Sequence, residues 1–254
     1  MSAEKGVAPL HGLWRITPSP VFTEIFAGSG LDFQILDCEH GAYDYATLLP
    51  DIIACERHGC AALVRVSGTD KVEVQRCLDL GARGIVFPQL SEPADFVAAA
   101  AMMDHAPAGG RGFNPFVRAY GYGRPIPSTR PWFVPIIETL AAVRHLDAIL
   151  QLPRIDVIYV GVYDLSTQLS CPGRVDAPEL LKVVEEILSA CRRAGKPAGM
   201  MALSTSAAQD LAARGVQAIV HGVETHRVGQ AMAGIVHPMA GLNLPTGTVA
   251  LSKP

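Results

Sequence analysis

Two acidic residues, Glu138 and Asp164, each follow a short β-branched apolar run, VPII and VIYVGVY respectively. Two carboxylates delivered from neighbouring strands suit a hard divalent cation such as Mg2+, Mn2+ or Co2+. Water and substrate oxygens would complete its shell. Other apolar runs end in polar groups in the same way. FQIL is followed by Asp37-Cys38-Glu39-His40-Gly41, ALV by Arg65, and GIVF by Pro88 and Gln89. An arginine so placed can stabilise a developing enolate oxygen. A histidine with a carboxylate partner can serve as a base, directly or through water.

Taken singly, each residue also has a purely structural reading. Glu138 can be a carboxylate favoured by a helix N-terminus, and Asp164 can be a helix N-cap. Arg65 can pair with Asp37, His40 can sit satisfied in a turn, and Asp79 can lie on a helix surface. Taken together, those readings ask five strand ends to gather charge to no purpose, against the cost of burying it. Other chemistries find less support. Cys38-x-His40 supplies two ligands, too few for a zinc site. GGRGFNP matches neither nucleotide-binding glycine pattern, and Ser166 lacks a GxSxG elbow. None of the lysines (Lys5, Lys71, Lys182, Lys196, Lys253) stands at a strand end, which disfavours imine chemistry and favours a metal.

Positioning these groups requires strands that all point the same way. Eight short apolar runs alternate with helix-like segments: Leu13–Ile16, Phe33–Leu36, Ala61–Val66, Gly84–Pro88, Phe133–Ile137, Val157–Val160, Ala198–Ala202 and Ala218–Val220. Runs of this kind read as strands buried on both faces of a parallel sheet. The helix-like segments carry end signals, such as Ser19-Pro20 before VFTEIFAG, Asp44 and Asp70 as caps, and Gly30, Gly59 and Gly81 as stops. Pro50 predicts a kink or a late start in the second segment. The order fits a (β/α)8 barrel or a doubly wound open sheet. A barrel needs roughly 250 residues, and the chain has 254, so residues 1–254 read as one domain with a tail from about 237. In a barrel, chemistry gathers at the C-terminal ends of the strands, where these polar residues fall. The Gly-, Arg- and aromatic-rich stretch 109–130 is too long for an ordinary connection. Its Arg111, Arg118, Tyr120 and Tyr122 are candidates either for holding part of a substrate or for a contact between subunits.

Composition narrows the function classes. Hydrophobic residues make up 49% and charged residues 18%, which argues for a large core and against disorder. A net charge of -3 gives no sign of a nucleic-acid or membrane partner. Six scattered cysteines without a CxxC pair read as reduced thiols. The N-terminus has no apolar signal core, and no run approaches a membrane span. These features predict a soluble cytoplasmic protein.

From LDCEHGAYD (Leu36–Asp44) onward the sequence resembles the metal-dependent class II pyruvate aldolases of the aldolase/citrate lyase superfamily. The likeness continues in order through LVRV (Leu63–Val66), RCLDLGARGIVFPQL (Arg76–Leu90), GGRGF with RAYGYG (Gly109–Gly123), IIET (Ile136–Thr139), YVGVYDLSTQLSCPG (Tyr159–Gly173) and AGKPAGMMA (Ala194–Ala202). Such a resemblance implies a (β/α)8 barrel, a homo-oligomer (usually a hexamer with exchanged C-terminal helices), and reversible cleavage of a 4-hydroxy-2-oxo acid to pyruvate and an aldehyde. It implies that Glu138 and Asp164 hold the metal and that Arg65 stabilises the enolate. It pairs His40 with Asp79 as a proton-moving dyad. It places the substrate carboxylate on the backbone of Gly161, Val162, Tyr163 and Asp164, with Asp37 supporting from behind. The sequence departs from the pattern at Ile136, where Gln is usual, at Val162, where Pro is usual, and at Glu224, where Asp is common. Two other readings therefore stay open: a lyase or decarboxylase acting on a bulkier 2-oxo or citrate-like acid, and a metal-binding barrel without catalysis.

Overall fold

The computed structural model describes residues 8–126 and 129–236; the expected C-terminal tail from 237 lies outside the described residues. Eight strands form a closed barrel in chain order: β1 (Leu10–Arg15), β2 (Phe33–Asp37), β3 (Ala61–Arg65), β4 (Gly84–Phe87), β5 (Trp132–Ile137), β6 (Ile158–Val160), β7 (Ala198–Met201) and β8 (Ala218–Val223). All neighbouring strands are parallel, and β8 pairs with β1. That last pairing closes the sheet, so the fold is a (β/α)8 barrel and not a doubly wound sheet.

The short strands bury both faces, as their uniformly apolar runs require. Trp14, Phe33, Ile35, Leu63, Val86, Val134, Ile136, Tyr159, Ala218 and Val220 fill the barrel interior. Gly12 makes room there, since a Cβ at this position would lie 2.3 Å from the Phe33 ring. Outward-facing residues such as Leu36, Val64, Ile85, Phe133 and Ile219 join the helices in the larger outer core. Each fully buried branched side chain contributes about 1.5–3 kcal/mol.

The helices begin and end where their caps dictate. Ser19 caps α1 (Pro20–Gly28), Asp44 and Thr47 form a capping box on α2 (Tyr45–Arg57), and Asp70 caps α3 (Lys71–Asp79). Pro50 neither delays nor ends α2, which runs through it. The segment after β5 is divided at His145 into α5 (Leu140–Arg144) and α6 (Leu146–Leu150). After α4 (Pro93–Met103) comes the long connection to β5. A short extra helix, α7 (Val162–Gln168), precedes α8 (Pro178–Ala194), and α9 (Thr205–Ala213) and α10 (Glu224–Val236) complete the chain. Among the described residues no helix is long and apolar enough to cross a membrane.

Glu224 has a structural task. Its carboxylate accepts the Ile16 and Thr17 N–H groups at 3.0 and 2.7 Å, latching the exit of β1 to the end of β8. The fully buried Arg15 lies 3.9 Å from it and donates to Thr23, Gln34 and the Thr17 carbonyl. The carboxylate at the HGVE position thus supports the barrel seam.

Candidate active site

Parallel strands deliver their last residues to one rim. Asp37, Arg65, Glu138 and Asp164, together with His40, line one cavity of about 380 Å3 at the C-terminal ends of the strands. A larger hollow of about 530 Å3 lies elsewhere, against Gly81, Arg83 and Pro131, which precede the starts of β4 and β5. The convergence of acids and strand ends singles out the smaller cavity, following the rule that barrel chemistry sits at the C-terminal rim.

Glu138 is the residue immediately after β5 and is 3% exposed. Its Oε1 accepts the Gln89 N–H at 2.5 Å. Burial pushes its carboxyl up to about 7; the Gln89 N–H opposes this, while the charges of Asp164 and Glu39 add to it. Asp164, in the first turn of α7, is therefore close enough to be felt. The donors are hard oxygens, and three acids (Asp37, Glu138, Asp164) face one Arg65 around the cavity, which fits a hard divalent cation. Among the described residues no group of three or more His, Cys, Asp and Glu side chains is arranged to hold a metal. A cation here would thus rely on two protein carboxylates.

The raised Glu138 pKa has a definite sign in linkage. Between about pH 4.5 and pH 7 the folded state binds more protons than the unfolded chain, so metal-free protein gains stability as pH falls through that window. The gain is on the order of 3 kcal/mol. Denaturant titrations of metal-free protein at pH 8 and pH 5 should show it, and Glu138→Gln should flatten it. An equal slope in the variant would assign the effect to other groups.

Arg65 and Asp37 form a built pair. Arg65 Nε and Nη2 donate to the two Asp37 oxygens at 2.9 and 2.5 Å, and Nη1 lies 2.7 Å from Glu39. The guanidinium stacks 4.8 Å from the Trp14 ring centre. Asp37 also accepts Trp14 Nε1 and the Glu39 and His40 backbone N–H groups. Burial alone would raise the Asp37 carboxyl, but the bonds and charge of Arg65, with Trp14, hold it below its ordinary value. Burial likewise opposes the Arg65 charge, and Asp37 and Glu39 outweigh it. Asp37 therefore ties Arg65 to Trp14 and to the backbone that follows β2. Only two of the five Arg65 N–H groups are hydrogen-bonded, both to Asp37.

Gly161 enters the cavity through what it lacks. A Cβ there would meet Glu138 Cβ at 2.5 Å and Oε2 at 2.8 Å. Its own N–H is committed to the Ile137 carbonyl at 3.0 Å, so it does not supply the anion-holding donor expected of it. The first-turn N–H groups of Val162, Tyr163 and Asp164 have no carbonyl behind them within α7.

Within the chain, two sets of expected residues lie away from this cavity. Asp79 is the last residue of α3, which runs back from the rim toward the opposite end of the barrel. There it pairs with Arg111 at 2.6 Å. The His40–Asp79 dyad is not formed within the chain, and among the described residues no carboxylate bonds the exposed His40 ring. The stretch 109–130 joins a helix to a strand, so it too lies at the far end. Arg118 bonds Glu56 and the Leu80 carbonyl, Tyr120 bonds His105, and Tyr122 lines the far hollow. None of these residues reaches the Glu138 cavity of its own chain.

Residues not assigned from sequence also belong to the site. Glu39 bridges Arg65 to the Gln89 amide, and Gln89 holds both Glu39 and Glu138. Gln89 adopts φ 57°, an uncommon conformation for a residue other than glycine. Their place beside His40 and at the end of β4 was the available signal.

Comparison with known proteins agrees with this geometry. The profile of the HpcH/HpaI aldolase/citrate lyase family matches residues 10–231. A pyruvate aldolase of Rhizobium etli is 30% identical over 195 residues, 75% of this chain and 77% of that protein. A 5-keto-4-deoxy-D-glucarate aldolase of Salmonella gallinarum is 30% identical over 197 residues, with 75% and 77% covered. The crystal structure of an HpcH/HpaI aldolase/citrate lyase family protein from Burkholderia cenocepacia J2315 superposes with a TM-score of 0.87 at 26% identity, covering 91% of this chain and 95% of that one. With eight parallel strands bringing these acids and Arg65 to one rim, the chain belongs to the HpcH/HpaI aldolase/citrate lyase family and is a carbon–carbon lyase.

Proposed function

We propose that the protein reversibly cleaves a 4-hydroxy-2-oxo acid to pyruvate and an aldehyde, with a divalent cation (Mg2+, Mn2+ or Co2+) held by Glu138 and Asp164. The observation that carries this reading is the gathering of Glu138, Asp164, Arg65 and His40 around one cavity. When bound, such a cation supplies Lewis-acid polarisation of the substrate's ketone and carboxylate oxygens. The first-turn N–H groups of Val162 and Tyr163 suit the substrate carboxylate. The Arg65 donors not bonded to Asp37 suit charge that develops on the C2 oxygen. His40 takes the proton from the C4 hydroxyl, directly or through water. The C3–C4 bond then breaks, its electron pair passes into the enolate, and the aldehyde leaves. Return of a proton to C3 gives pyruvate.

Replacing His40 by alanine should lower kcat by about two to four powers of ten, read as pyruvate release under saturating substrate. A change below threefold would remove His40 from proton transfer. The apolar wall formed by Ile16, Ile136, Val162, Met201 and Val223 favours a substrate less polar than a sugar acid. It keeps open cleavage of a bulkier acid or oxaloacetate-type decarboxylation. A panel of 2-oxo acids scored for aldehyde against CO2 separates these reactions, and silence across the whole panel would leave a barrel that binds metal without turnover. A homo-oligomer is supported by α10, which leaves Met232, Ile235 and Val236 more than half exposed along one side.

A further inference from the structure

Ile136 and Tyr159 are register partners on β5 and β6, both face the barrel interior, and both line the candidate cavity. Ile136 offers no polar atom, whereas Tyr159 does. Tyr159 is 5% exposed, and its ring lies 5.3 Å from that of Trp14. Its hydroxyl is buried without a hydrogen-bond partner. Trp14 Nε1 is committed to Asp37, as are Arg65 Nε and one Nη2 N–H, while Arg65 Nη1 lies beside Glu39. An orphaned buried hydroxyl is costly, and phenylalanine would fill the same space without that cost. Burial, only partly opposed by the Arg65 charge, raises the phenol well above its ordinary value, so it remains a proton donor at any working pH.

We propose that Tyr159 is a substrate-binding residue whose hydroxyl donates to an oxygen at the C1–C2 end of the 2-oxo acid, beside Arg65. It supplies the polar contact that its neighbour Ile136 cannot make. The assignment rests on the 2-oxo acid reading above and specifies which side of the cavity holds the oxo-acid end.

The test uses the Mg2+-loaded full chain with Tyr159→Phe and with Tyr159→Phe/Ile136→Gln. The readouts are oxalate affinity by calorimetry, kcat/KM on the best acid of the panel, and the thermal midpoint of the metal-free protein. Tyr159→Phe should weaken oxalate about tenfold or more and lower kcat/KM about ten- to hundredfold. Its thermal midpoint should stay the same or rise. The added amide at 136 should recover part of the lost affinity. Wild-type protein that binds oxalate and turns over, beside a Tyr159→Phe variant equal to it, overturns the assignment while leaving the lyase reading intact. A fall in the thermal midpoint of Tyr159→Phe overturns it as well, because the hydroxyl would then serve the fold. Wild-type protein that neither binds oxalate nor turns over any 2-oxo acid defeats the lyase reading first, and this assignment with it.

Discussion

Glu138→Gln and Asp164→Ala should each abolish pyruvate release, with an expected loss of at least about three powers of ten. The magnitude follows from the several kcal/mol of Lewis-acid stabilisation that depends on the two carboxylates, at 1.36 kcal/mol per tenfold in rate. Glutamine at 138 is the informative choice. It preserves the shape beneath Gly161, and its carbonyl oxygen can still accept the Gln89 N–H, so the backbone at φ 57° keeps its partner. Only the charge is lost. Asp164 is exposed at the start of α7, so its replacement should shift stability by only about 0.5 kcal/mol. Calorimetric titration with Mg2+ should show lost binding in both variants, and excess chelator should silence the wild type until the cation is restored. Full activity in either variant, or in chelated wild-type protein, would refute the metal-dependent reading.

Arg65→Lys should lower kcat about hundred- to thousandfold while leaving a folded protein. Lysine keeps the charge but is a point donor that cannot span both Asp37 oxygens and Glu39 at once. The developing oxyanion then loses preorganised donors, an effect of about 3–4 kcal/mol in comparable sites. Stability should fall as well, by about 1–3 kcal/mol, because buried carboxylate oxygens lose their partners. The two effects can be separated by measuring kcat at saturating substrate alongside denaturant midpoints. A kcat within threefold of wild type, with stability lowered, would make Arg65 a strut for the two acids and nothing more.

Much of this architecture is legible in the sequence. Strands buried on both faces leave uniformly apolar runs, so β2 to β5 were visible within a residue or two. The polar residue ending each run marked the rim. The sequence could have placed the far-end groups too. Asp79 closes a helix and the stretch 109–130 joins a helix to a strand, and in a parallel barrel both positions lie opposite the active rim. The role given to Asp79 came from motif likeness, and for 109–130 a contact between subunits stayed open. Tyr159 was hidden for another reason: within IYV it reads as one more apolar strand residue, and only the environment of its hydroxyl distinguishes it. Gln89 is visible as a polar residue after the GIVF run, but its positive φ and its bond to Glu138 are not. The break at His145 and the uninterrupted α2 across Pro50 reflect tertiary packing overriding local propensity.

The latch at Glu224 bears on how the molecule is made. It joins atoms 208 residues apart, so the barrel's first strand waits for its eighth before its outer edge is covered. During synthesis β1 presents open backbone groups to any passing edge, a hazard that short strands lessen but do not abolish. Contacts this distant in sequence also slow the search for the native state. Maturation of the nascent chain thus hinges on its final third, and shortened products ending before β8 should accumulate as sticky, unsealed intermediates.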